Sequence, residues 1–92
     1  MAKKDLQRIR QAVLSGSLKL THHALEEMDE EDLEIIDIQT VLINGQIIQK
    51  QKHQRIVKYR VCGHSITDDR VSVVGRFTAA NDFLVITVFR GE

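Results

Sequence analysis

RVSVVGRFTAANDFLVITVFR, residues 70–90, alternates with period two on either side of a polar break at Asn81-Asp82. In its first half Val71, Val73 and Phe77 fall on one side, and Ser72, Val74, Arg76 and Thr78 on the other. Alternation in a segment rich in β-branched residues is the signature of a strand. Residues 79–82 (AAND) supply a turn, and residues 83–90 (FLVITVFR) form a second strand. That strand is apolar on both faces, which predicts a central or well-covered position. Gly75 interrupts the apolar run and marks a bulge or a close backbone approach.

Upstream the same pattern continues. Residues 55–62 (RIVKYRVC) put Val57, Tyr59 and Val61 on one face, with Lys58 and Arg60 on the other. Residues 46–51 (QIIQKQ) make a short strand before it. Short connections of this kind join antiparallel neighbours.

Before Gly45 the period changes. Leu6, Ile9, Val13 and Leu14 recur at helical spacing and Gly16 stops the run. SLKLT (17–21) then leads to Thr21, which is suited to cap a second helix with Ala24, Leu25 and Met28 as its apolar stripe. A third helix begins between Leu33 and Asp37, buries Ile38, Val41 and Leu42, and ends at Asn44-Gly45. Helices followed by a run of strands predict an α+β fold, with N-terminal helices packed on one face of a four-stranded antiparallel sheet. Residues 1–92 are expected to form a single domain.

The other sheet face is expected to stay partly open. It would carry Lys58 and Arg60, joined by Arg76 and Ser72. Thr87 joins them if the last strand presents its Phe83, Val85, Thr87, Phe89 side there. Guanidinium groups grip phosphate bidentately, and hydroxyls donate to its oxygens. Read plainly, the same residues are a solvated outer face.

Charge supports an asymmetric molecule. The formal net charge is zero, yet residues 1–45 hold five Lys/Arg and nine Asp/Glu, and residues 46–92 hold eight and four. A neutral total can hide a basic face. The single cysteine, Cys62, excludes an intrachain disulfide and fits a reducing cytosol. No apolar run approaches the roughly 20 residues of a membrane span, so a cytoplasmic protein without a membrane partner is expected.

Two histidines, His22 and His23, open the second helix. Neighbouring helical residues point about 100° apart, so only one of them can face a given site. His23 stands four residues before Glu27, and His22 four before Glu26, a spacing that lets each pair meet. Histidine is the usual proton carrier at neutral pH; without such a role the two are simply exposed at a helix start. His-x-x-x-Glu supplies two metal ligands where catalytic zinc takes three, and there is no HExxH or cysteine pair. Neither a metal nor another cofactor is expected. Cys62 lies beside Gly63 and His64 but lacks a nucleophile-elbow motif, so it reads as a small buried residue. Glycine-rich phosphate loops are absent, which argues against an NTPase. Residues 26–34 (EEMDEEDLE) form a solvated acidic run that could attract a basic partner.

His23-Ala-Leu-Glu-Glu-Met28, a third helix ending in Asn44-Gly45, and the closing Val85-Ile86-Thr87-Val88 together resemble a small bacterial family of unknown function. Its members open with an H-A-x-x-R-M helix and close with a V-x-T-V strand. The resemblance covers roughly Leu20 to Arg90. That family is grouped with the barnase, EndoU, colicin and RelE-like ribonuclease fold. The resemblance therefore implies a toxin-like domain of a bacterial toxin–antitoxin type system, which binds RNA or cleaves it without a metal. RNA and an antitoxin-like protein would be its partners, and it would be a monomer or small homo-oligomer. His23 takes the motif histidine and Thr87 the last-strand threonine. Arg60 and Arg76 are strand cations by position, with Lys58 and Ser72 as substrate contacts. Glu27 and Glu31 stand where the family carries arginines. If catalysis needs those cations, this copy is weakened or inactive. The rival expectation is a non-enzymatic protein-interaction module on the same fold.

Overall fold

A computed structural model describes residues 3–91. The elements run α1 (Lys3–Leu14), β1 (Leu18–Leu20), α2 (His22–Glu30), α3 (Ile35–Asn44), β2 (Gln46–His53), β3 (Ile56–His64), β4 (Arg70–Phe77) and β5 (Phe83–Arg90). They form one five-stranded sheet in the order β1-β5-β4-β3-β2. The four expected strands are present and pair antiparallel. The fifth, β1, corrects the expected count. It lies parallel to β5, with Leu18 opposite Phe83 and Leu20 opposite Val85. Three residues are too few to show a period, and a parallel partner at the far end of the chain leaves no local trace.

The helices pack on one face of the sheet. Ile9 and Ala12 of α1, Ala24 and Met28 of α2, and Ile38, Val41 and Leu42 of α3 share one apolar cluster with Tyr59, Val61, Val71, Val73, Phe83, Val85 and Val88. Fully burying side chains of this size contributes about 1.5–3 kcal/mol each. Thr21 caps α2 as its sequence position suggests, its Oγ1 accepting from the Ala24 N–H at 3.0 Å. Two expected core residues are not core. Leu14 is 74% exposed and Leu25 49% exposed, because the faces of α1 and α2 that meet the sheet are set by Ile9 and Ala12, and by Ala24 and Met28.

Phe83 is the largest fully buried side chain. Its ring lies 5.2 Å from that of Phe77, which lies 6.0 Å from that of Tyr59, both edge-on. Gly75 makes this possible. A Cβ there would lie 2.7 Å from the Phe83 ring and from the Leu84 carbonyl oxygen. Beside it the ladder slips: Val74 faces Thr87 while Gly75 faces Val85, so Ile86 is an extra residue in β5.

That bulge corrects the expected face of β5. Phe83 and Val85 point into the core, and so does Val88. Thr87 and Phe89 point the other way. Without Ile86 as a spare residue, strict alternation would keep Thr87 on the same side as Val85.

β2 is the opposite edge of the sheet. It has β3 on one side and, among the described residues, no strand on the other. Every residue from Ile48 to His53 is exposed.

Candidate functional site

Residues paired across a sheet share a face, so the register builds the surface opposite the helices. One row across it is Gln49, Arg60, Val74 and Thr87. The next holds Gln46, Cys62, Ser72 and Phe89. On the other side of the first row lie Gln51 opposite Lys58, and Arg76 opposite Leu84. The open-face positions of the four long strands carry Lys58, Arg60, Arg70 and Arg76, and none is acidic. Lys58, Arg70 and Arg76 make no ion pair among the described residues.

Arg60 does not stand upright. Its guanidinium carbon lies 4.9 Å from the centroid of the Phe89 ring. Arg60 is on β3 and Phe89 on β5, so the side chain must cross β4 to reach it. A guanidinium over an aromatic face is attracted by the ring's negative π-cloud. Ser72 lies on β4 in the Phe89 row and is completely buried. Its Oγ finds no hydrogen-bond partner among the described residues. The hydroxyl expected to touch a ligand is thus buried. A cavity of about 150 Å³ remains on this face, bordered by Gln49, Gln51, Lys58, Arg60, Val74 and Phe89 among others.

The flank of the face is built by α2 and the outer edge of β5. β1 covers that edge only as far as Val85. Beyond it α2 supplies the missing partners. The Thr21 N–H donates to the Val85 carbonyl at 3.0 Å, and the Thr21 hydroxyl to the Ile86 carbonyl at 3.3 Å. The Val88 N–H donates to Glu27 Oε1 at 2.9 Å. The other carboxylate oxygen of Glu27 lies 3.3 Å from His23 Nε2. Glu27 thus links His23 to the residue next to Thr87. The His23 side chain is 64% exposed, and Glu27 is its one polar contact among the described residues. His22 pairs with Glu26 in the same way, farther out in solvent.

The second glutamate is also held by β5. Arg90 donates through Nε and Nη2 to the Glu31 carbonyl, at 2.9 and 2.7 Å. A cation there suits the negative end of α2. The same guanidinium bonds Asp69 through Nη1. The Arg90 bond, then a bond from the Thr67 hydroxyl, holds the Asp69 carboxyl below its usual range. Arg90 is raised in turn, chiefly by its bond to Asp69. On the helix side of the sheet Lys50 meets Asp5 at 2.9 Å and is raised by that bond. Burial pushes the nearby Tyr59 hydroxyl up.

The open face therefore gathers Lys58, Arg60, Arg76 and Thr87, buries Ser72, and leaves His23 on its β5 flank. Two neighbours of the cations were not singled out from sequence, Gln49 and Gln51; a third, Phe89, was expected here with Thr87, but on a register that brought Phe83 and Val85 here too. The alternation that exposes Lys58 and Arg60 applies equally to the glutamines, whereas Phe89 needed the bulge. Among the described residues no group of three or more His, Cys, Asp or Glu is arranged to hold a metal ion. No helix among them is long and apolar enough to cross a membrane.

No curated protein and no solved structure matches the chain. The sequence pattern of one family, described as Domain of unknown function (DUF4258), matches residues 20–90, which spans α2 through β5. The match covers most of the chain and all of the open face, and the protein belongs to the DUF4258 family.

Proposed function

We propose that the open face of the sheet binds the phosphate backbone of RNA, as expected of a RelE-like toxin domain of a toxin–antitoxin type system. The observation that carries this reading is the acid-free face with Lys58, Arg60 and Arg76 on adjacent strands. Rigid strands hold such groups ready, so little order is lost on binding. Phe89 adds an aromatic surface beside the cations, of the kind on which bases stack.

Cleavage is the enzymatic extension of the same reading. A base takes the ribose 2′-hydroxyl proton, the oxygen attacks the phosphorus, and an acid protonates the departing 5′-oxygen. Arg60 and Arg76 would stabilise the charge on the phosphate, with Thr87 as a positioning donor. His23 would carry the proton, and Glu27 would fix its ring. Glu27 also places negative charge where a phosphate would approach His23, which opposes cleavage there.

The test uses a short labelled single-stranded RNA and fluorescence anisotropy across a salt series. Each phosphate contact gives a slope of about −0.7 in log affinity against log salt, so three give about −2. Arg60→Glu with Arg76→Glu is expected to weaken binding by about tenfold or more and to flatten that slope. Gel analysis of the same RNA reports cutting, which His23→Ala should abolish. No binding at low salt would sink the proposal; binding with intact RNA retains the RNA-binding reading and removes the enzymatic one.

A further inference from the structure

The two edges of the sheet are treated differently. On the β5 side, β1, Thr21 and Glu27 occupy the backbone groups of Phe83–Val88. On the β2 side no described element lies beyond the strand. β2 bulges once, at Ile48, and from Gln49 to His53 keeps an unbroken register against Ile56–Arg60. An uncovered edge presents a row of backbone donors and acceptors to any extended chain that can line up with it.

The side chains decide which chain fits. From Gln46 to Thr67 there is no acidic residue, while Lys50, Lys52, Arg55, Lys58 and Arg60 fall within it. The pairing of Lys50 with Tyr59 and of Lys52 with Val57 puts both lysines on the helix side of the edge. Gln49, Gln51 and His53 lie on the open side. Asp5 matches Lys50, but Lys52, Arg55 and Lys58 have no ion pair among the described residues. A second β2 would set lysine against lysine, the arrangement that keeps edges apart. RNA has the charge but no amide ladder. An extended peptide with carboxylates at every second position matches both the ladder and the charge.

We infer that β2 is a docking edge for an extended acidic segment of a partner protein, which adds a strand along Gln49–His53 and turns alternate carboxylates toward Lys50 and Lys52. A cavity of about 550 Å³ bordered by Gln51, Lys52, His53, Ile56 and Lys58 lies at the hairpin end of this edge. Ile56 is 48% exposed there, which gives the segment an apolar contact at one end. This docking edge goes beyond the RNA-binding reading and does not depend on it.

The experiment selects from a display library of random dodecapeptides against the full chain at near-physiological salt. The counter-target is Lys52→Glu combined with Arg55→Glu, checked for unchanged circular dichroism. Both substitutions are at exposed positions. The expected winners alternate Asp or Glu with β-branched residues and bind the charge-reversed variant at least tenfold more weakly. A synthetic winner should slow amide exchange along β2. Methylating its alternate backbone nitrogens, which removes ladder donors but no charge, should cost it tenfold or more. The inference is overturned by the absence of enrichment, by equal binding of the methylated peptide, or by protection away from β2. A short RNA that alone protects β2 would make the edge a nucleic-acid contact. A concentration-dependent dimer with β2 protected at that same near-physiological salt, where the edge lysines still repel, would make it a self-contact. Either result overturns the assignment.

Discussion

At position 27 one carboxylate serves two partners. Its spacing from His23 is legible in the sequence, because residues four apart on a helix meet. Its bond to the Val88 N–H is not, since it joins elements far apart in the chain and exists only because β1 stops short of Val88. An arginine here, as in the family motif, offers donors and no acceptor, so it could not take that bond. Glu27→Gln keeps an oxygen for Val88 and is expected to cost less than about 1 kcal/mol. Glu27→Ala leaves the part-buried N–H without a partner and is expected to cost about 1–3 kcal/mol. Urea denaturation of the two variants reads the difference, and equal midpoints would show that the Val88 bond contributes nothing. Ser72 marks a second limit of legibility. Alternation places it on the open face, but alternation alone does not foretell its complete burial there.

Among the elements, the long ones announced themselves. Gln46–His53, Ile56–His64, Arg70–Phe77 and Phe83–Arg90 each run for eight or nine residues, enough for period two to show. β1 has three residues and no period. The bulge was half legible: Gly75 signalled an irregularity, while the spare residue sits across the ladder at Ile86. Gly75 and Phe83 form a matched pair of small and large. Gly75→Ala forces the new methyl against the Phe83 ring and the Leu84 carbonyl, and is expected to cost about 1–3 kcal/mol. Combining it with Phe83→Leu should recover part of the loss at the ring. A double-mutant cycle measured by thermal unfolding checks this, and strict additivity of the two changes would refute the pairing.

Over the whole molecule, charge follows the strands. The loop after β3 brings Asp68 and Asp69 to the end where Asp32, Glu34 and Asp37 border a cavity, while the β2–β3 hairpin carries Lys52, Arg55 and Lys58. The excess of acids in one half of the sequence and of bases in the other foretold an uneven surface, though not that its poles would lie at opposite ends of β3. The unequal edges have a consequence for assembly. In the language of polymer chemistry, this sheet is a monomer with one reactive end. Salt that screens the edge lysines allows two copies to join through β2. The joined pair then exposes only the three-residue β1 at either side, with α2 over the remainder of β5. Growth therefore terminates at two. Concentrated protein at high salt should sediment as monomer and dimer, with no thioflavin-positive fibres; a ladder of higher species would show that α2 does not block the chain end.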